Sequence, residues 1–385
     1  MGGLGQGRSG VVWLVNQFVP PDLAPTARLL DDLSEGLGKR GWTTYFLGRK
    51  TGYRAQSVRG LRRWLRDLGA HVRLFMRGLF APRPDVILCL TDPPALVFTM
   101  KCLSLWRGAR LVHWPMDVYP QIAEALGALK SSSPLYKAID AASSWAIRRS
   151  AAVVCLDEDM GRVLSLPAPG TIIPPWVSRE IVIPEPLPAP DDAKITWLYS
   201  GNLGRAHDFE TLLRAQKILE QAGAPFKLVF QGGGASKPAA QALAAELGLR
   251  SCRWQGYVDD RQLVASLLTA HVVIATQREA TRGLLWPSKL ALLQTLPRPI
   301  VWVGAPAGAI AASLRSHSGL NGVFVPGDAE HLAQWLLSHA EDFKIAARLP
   351  ASPQVIRDQL AVCREKSVEA WHHLLGEVLS TRPCA

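Results

Sequence analysis

Long apolar runs are missing from these 385 residues; residues 151–156 form one of the longest. A bilayer-spanning helix needs roughly 20 such residues, so no transmembrane segment is expected. Nor is a secretory leader expected. Arg8 is the only early cation, and residues 11–15 are too short for an h-region of about 7–15 residues. Gln6 stands where a myristoylation signal beginning Met1-Gly2 needs Ser or Thr. The six cysteines (Cys89, Cys102, Cys155, Cys252, Cys363, Cys384) form no CxxC and show no metal spacing. That disfavours zinc ribbons and dithiol redox motifs, and fits a reduced cytoplasmic protein with no metal. A Walker loop is also missing. The first apolar run leads into Asn16-Gln17-Phe18-Val19-Pro20-Pro21, without the glycines of GxGxxG, so NAD and FAD are disfavoured.

What is present describes a globular chain of two or three domains, 48% hydrophobic and 19% charged. Its net charge of +11 is unevenly spread. Residues 1–175 hold 22 Lys/Arg against 13 Asp/Glu, whereas residues 176–385 hold 21 against 19. The basic excess of the first half implies an anionic partner there, either a membrane surface or a phosphate-bearing ligand. No nucleic-acid-binding motif accompanies it, so nucleic acid is not expected.

Short apolar runs alternate with helical patterns. Residues 11–15, 43–48, 85–90, 110–114 and 151–156 read as buried strands, and Leu29, Leu30, Leu33 and Leu37 form a helical stripe between the first two. The alternation restarts with strand candidates at 195–200, 227–231, 272–276, 300–303 and 323–325. This pattern implies an α/β protein of two doubly wound, Rossmann-like domains facing a central cleft. The expected divisions are a flexible terminus 1–10, an N-terminal domain 11–176 and a Pro-rich linker 177–193. A C-terminal domain 194–352 follows, then a helical segment 353–385 that returns to the N-terminal domain.

Candidate chemistry sits at strand ends. Gly201-Asn202-Leu203-Gly204-Arg205 follows the strand 195–200 and precedes a helix. Small residues there admit an anion and Arg205 adds a charged fork, although a plain turn is equally served. Gly232, Gly233 and Gly234 close the next strand and allow either close backbone approach or a flexible loop. Trp286-Pro287-Ser288-Lys289 opens a helix running toward Leu296, with Ser288 suited to the cap and Lys289 to an anion. Arg205 and Lys289 together suit a diphosphate. In the first half, His113 and Asp117 lie beyond a strand end, where they can act on an acceptor hydroxyl or serve structure alone. His71, His271, His372 and His373 read as structural or solvent-facing. Residues 54–83 are densely basic (Arg59, Arg62, Arg63, Arg66, Arg73, Arg77). There Leu61, Leu65, Leu68, Val72, Phe75 and Leu79 repeat at helical spacing, so this helix either packs its apolar face inward or lies on an anionic membrane.

As an ordered set, residues 199–208, Phe230-Gln231-Gly232-Gly233-Gly234, Pro287-Ser288-Lys289-Leu290 and Arg298-Pro299-Ile300 resemble the C-terminal domain of family 4 glycosyltransferases of GT-B fold. The bacterial colanic-acid and O-antigen type is the branch most similar. Asn16-Gln17-Phe18 and Asp117-Val118-Tyr119-Pro120 agree with it in the first half. The resemblance implies a retaining, metal-independent, peripheral inner-membrane enzyme of surface-polysaccharide or exopolysaccharide biosynthesis. It would need no cofactor, and would move a sugar from a nucleoside diphosphate sugar to a polysaccharide or polyprenyl-linked acceptor. Arg205 and Lys289 would hold the diphosphate, with Gly201, Asn202 and Ser288 beside it. Gly232–Gly234 would lie near base and ribose, and Asp117 near the reacting centre. Leu292 departs from the pattern, because the family places a ribose-binding glutamate three residues after the Ser-Lys pair. Pro297 likewise replaces a usual glycine. Glu279 is the nearest substitute carboxylate. Leu292 also keeps open a non-catalytic partner or scaffold, and an epimerase or phosphorylase on the same fold is a further alternative.

Overall fold

The computed structural model describes residues 10–52, 61–166, 170–191, 193–317, 319–349 and 351–381, with backbone alone at 61–64. The readings for residues 1–9, Arg59 and Cys384, and those for the side chains of Leu61, Arg62 and Arg63, lie outside this range. The chain divides into two compact units. The first comprises residues 1–178, 283–286 and 363–385, and the second 179–282 and 287–362.

In the first unit six strands form one parallel sheet: β1 (Val11–Phe18), β2 (Thr43–Arg49), β3 (Val86–Cys89), β4 (Arg110–His113), β5 (Ala152–Cys155) and β6 (Thr171–Ile172). Their order is β2-β1-β3-β4-β5-β6. β1 lies between two neighbours and under helices on both faces, so it reads as a continuous apolar run rather than an alternating one. Val12 and Leu14 pack on one side with Leu30 and Leu33 of α1 (Pro25–Gly38). Trp13 and Val15 pack on the other side with Leu74 of α2 (Leu61–Phe80) and Met100 of α3 (Leu96–Arg107). Three further helices, α4 (Gln121–Ala125), α5 (Pro134–Arg148) and α6 (Glu158–Val163), complete the alternation.

In the second unit β7 (Ile195–Ser200), β8 (Phe226–Gln231), β9 (Cys252–Gln255), β10 (Val272–Thr276), β11 (Ile300–Val303) and β12 (Gly322–Phe324) form another parallel sheet. Its order is β12-β11-β10-β7-β8-β9, which reverses direction between β7 and β10. Ligands bind such sheets at the carboxyl ends flanking that reversal. The helices α7 (Glu210–Gln221), α8 (Lys237–Glu246), α9 (Asp260–Leu268), α10 (Lys289–Leu293), α11 (Ala309–Ser316), α12 (Ala329–Ser338) and α13 (Ala340–Arg348) cover it. The last helix, α14 (Pro353–Ser380), belongs to both units in turn. Its later part packs Trp371 on Trp114 at 4.8 Å between ring centroids. There Glu369 accepts a 2.7 Å bond from Arg40.

All ten expected strands are present, and the short edge strands β6 and β9 are additions. The stripe expected on the basic helix is divided: Phe75 and Leu79 pack against the core. Leu65, Leu68 and Val72 of α2 are exposed, while Asp67, Ala70 and Leu74 are buried. Close packing decides the side. A Cβ on Gly78 would meet Leu103 at 2.3 Å, so a small residue admits α3 there. His71 adds bonds to Thr99 Oγ1 (2.7 Å) and the Pro94 carbonyl (3.0 Å).

Candidate functional site

In the second unit the site is built on the loop after β7. Gly201 takes φ +132°, and its N–H donates to the Gln231 carbonyl at 2.8 Å. Leu203 N–H donates to the Gly233 carbonyl at 2.7 Å. A Cβ on Gly232 (φ +126°) would fall 2.2 Å from the Gly201 oxygen, and one on Gly234 (φ +128°) would fall 2.3 Å from the Leu203 oxygen. The glycines therefore let the β7 and β8 loops zip together backbone to backbone, which removes the flexible-loop reading. The β10 loop joins them through Arg278 N–H on the Ala206 carbonyl at 2.7 Å. Asn202 is exposed, and its side-chain oxygen accepts from the Tyr257 hydroxyl at 3.3 Å. Arg205 is exposed on the same loop.

Lys289 reaches this loop from α10. Its stem is half-buried, but Nζ is cut off from solvent and has no hydrogen-bond partner. Nζ lies 3.5 Å from the centroid of the Tyr199 ring and 3.3 Å from where a Gly201 Cβ would stand. Burial pushes this ammonium down from 10.5 to about 7. A buried unpaired cation held over an aromatic face is costly, and an anion at the loop would relieve the cost. Ser288 is exposed and makes no capping bond, contrary to the expected cap, and α10 stops at Leu293 rather than running toward Leu296. Glu279 is exposed in a short 3-10 turn, Glu279–Thr281, beyond β10. Leu292 is buried.

His207 was not foreseen. Its Nδ1 lies 2.6 Å from the Thr276 carbonyl at the end of β10, and its ring meets Tyr199 edge-on at 5.8 Å. Burial, then the nearby Lys289 charge, push it down to about 4, so it is neutral at pH 7. Nδ1–H donating to the carbonyl leaves Nε2 as an acceptor. Its sequence cue was its place in the stretch 199–208, six residues past Gly201.

In the first unit His113 and Asp117 line one small cavity of about 20 Å³, together with Thr91 and Ser143. His113 is buried, with Nδ1 3.1 Å from the Cys89 carbonyl. Burial pushes it down to about 4, so it too is a neutral acceptor through Nε2. Burial also raises the Asp117 carboxyl, to about 6. Residue 117 is fixed by a bridge to Leu285 and by its N–H, 3.4 Å from Thr91 Oγ1. The Ser143 hydroxyl is buried and unpartnered. A small cavity with a neutral imidazole, a raised carboxyl and a free hydroxyl can hold one hydroxyl group and take its proton. Among the described residues no group of three or more His, Cys, Asp or Glu is placed to hold a metal ion.

Residues 183–284 match the family of glycosyl transferases group 1. A curated relative, probable glycosyltransferase WbjE of Pseudomonas aeruginosa, is 26% identical over 265 residues, which is 66% of each chain. Anabaena HepE, solved in complex with UDP-glucose, superposes with a TM-score of 0.60 at 14% identity, covering 94% of this chain and 99% of that one. WaaG, a glycosyltransferase involved in lipopolysaccharide biosynthesis, gives a TM-score of 0.61 at 14% identity, covering 91% and 99%. These neighbours share the GT-B fold.

Proposed function

We propose that this chain, a glycosyltransferase of GT-B fold, takes its sugar from a nucleoside diphosphate donor held in the second unit. The observation that carries this reading is the buried, unpartnered Lys289 ammonium against Gly201. With Arg205 on the same loop it would hold the diphosphate and stabilise the charge that develops as the leaving group departs. Gly201, Asn202 and Ser288 would line the phosphates, and Gly232–Gly234 the base and ribose. Glu279 is the carboxylate nearest in sequence that can take the place of the missing ribose-binding one. Donor-bound HepE supports a nucleotide-sugar ligand for this architecture.

His113 and Asp117 would handle the reacting hydroxyl of the acceptor. The chemistry proposed is family 4 transfer, retaining and without a metal. The acceptor would be a lipid-linked or growing surface polysaccharide at the cytoplasmic face of an anionic membrane, which the basic first unit would meet. Nucleotide-sugar consumption with a membrane-extract acceptor tests this reading. Turnover that disappears in Lys289→Ala and Asp117→Asn supports it, and no turnover across a broad donor panel opposes it. One observation favours a second reading, a non-catalytic partner protein: Leu292 is buried and apolar where a ribose-binding carboxylate would stand.

A further inference from the structure

Lys289 carries a charge that the fold holds without a polar partner. Among the described residues Nζ has no hydrogen-bond partner, and it is cut off from solvent. What faces it is the Tyr199 ring, with Nζ 3.5 Å from the ring centroid. An ammonium so placed is attracted by the negative face of the ring, and more strongly where water is excluded. The ring is clamped from several sides. Tyr199 is 1% exposed near the end of β7. Phe230 of β8 packs on it at 5.8 Å between centroids, and His207 meets its edge at the same distance. His207 is in turn fixed to the Thr276 carbonyl of β10. Burial pushes the Tyr199 phenol up, so it stays protonated and donates to the Asn202 carbonyl at 3.1 Å. The ring is thus held from the strands that flank β7 on either side, and it is bonded to the loop that follows Gly201.

An aromatic partner has a chemical consequence that a carboxylate would not have. A carboxylate would neutralise the lysine and compete with any incoming anion. A ring face favours the charged form but leaves the N–H donors for oxygens that arrive at Gly201. The titratable groups that face Lys289 are Tyr199 and His207, and both are neutral at pH 7. On the adjoining loops Arg205, Tyr257 and Glu279 are exposed. The lowered Lys289 value is set by burial.

We infer, on the donor site proposed above, that Tyr199 is a positioning residue: its ring keeps the Lys289 ammonium charged against Gly201, with its N–H donors unspent, until a diphosphate arrives. Three replacements separate the parts of this role. Tyr199→Phe keeps the ring face and removes the hydroxyl. A trifluorinated phenylalanine in place of Tyr199 keeps a ring of similar size but cancels the negative charge of its face. Tyr199→Leu removes the ring. Binding of inorganic pyrophosphate, UDP, GDP and ADP to the full chain is measured by calorimetric titration at pH 6 and pH 8. Each ligand's own titration cancels in the ratio between two chains. At pH 8 the fluorinated chain binds roughly tenfold more weakly than Tyr199→Phe, because losing the ring's attraction lowers the fraction of Lys289 that is charged. At pH 6 the ammonium is restored in both, and the deficit narrows to about twofold. Tyr199→Leu follows the fluorinated chain if it folds, and Tyr199→Phe stays within about threefold of wild type at both pH values. A merely structural role would weaken binding equally at the two pH values. That result overturns the role of the ring, and so does equal affinity of Tyr199→Phe and the fluorinated chain. In either case the donor site stands if Lys289→Met still abolishes binding. A wild type that binds none of the four ligands removes the donor site and the role of Tyr199 together.

Discussion

Lys289→Met should make the protein more stable and less able to bind a diphosphate. Methionine keeps the length and apolar stem of lysine but carries no charge to bury. In the folded chain the ammonium sits at about 7 rather than its ordinary 10.5. Each pH unit of such a difference is worth about 1.4 kcal/mol. Holding the charge therefore costs the folded state on the order of 4 kcal/mol at pH 7. The Tyr199 ring, 3.5 Å away, returns about 1–2 kcal/mol through its negative face. The net gain from methionine is about 2–3 kcal/mol, or roughly 5–10 °C in melting for a unit of this size. The folded value lies below the unfolded one, so wild-type stability is lost as pH falls from about 10.5 toward 7 and recovers as pH rises. Melting followed by calorimetry at pH 7 and pH 10 should show a gap between variant and wild type that nearly closes at the higher pH. A variant less stable than wild type at pH 7, with diphosphate binding intact, would refute the reasoning.

Four further outcomes follow from the same geometry. Arg205→Ala, at an exposed position, should weaken nucleoside diphosphate binding by about 1.5–3 kcal/mol in a calorimetric titration and leave melting unchanged. Asp117→Asn should abolish transfer while stabilising the fold by on the order of 3 kcal/mol at pH 7. Its raised carboxyl means that wild-type stability declines as pH rises from about 4 to 6, and transfer should fall as pH drops below about 6. Gly232→Ala should cost several kcal/mol or prevent folding, because its Cβ would lie 2.2 Å from the Gly201 oxygen; wild-type melting in that variant would contradict the zipped loops. Glu279→Gln should weaken a cognate nucleoside diphosphate more than pyrophosphate, and equal losses would remove Glu279 from the ribose.

The strand–helix alternation was legible because parallel strands buried on both faces, such as Val11–Phe18 and Val272–Thr276, read as apolar runs between turn residues. The edge strands Thr171–Ile172 and Cys252–Gln255 carry only a partial apolar signal and left no such trace. In the site, Arg205 and Lys289 were visible as cations after a glycine turn and beside a proline-opened helix. What made Lys289 informative was not visible. Its contact with the Tyr199 ring joins residues 90 positions apart, and His207 gains meaning only from the Thr276 carbonyl that holds it. The α2 periodicity showed apolar residues at helical spacing but not that Leu65, Leu68 and Val72 face outward while Phe75 and Leu79 pack on the core. Gly78 decided that by letting Leu103 of α3 approach the other side. Asp117 was placed by the strand end, but its bridge to Leu285 is a long-range pairing that no local pattern carries.

Calorimetric titration of the full chain with UDP, GDP, ADP and inorganic pyrophosphate, without added metal, tests the donor site most directly. A nucleotide-sugar site at Gly201 and Lys289 requires saturable binding of at least one nucleoside diphosphate, lost in Lys289→Met while melting rises. Absence of binding by all three nucleotides, or binding that Lys289→Met leaves untouched, would contradict it.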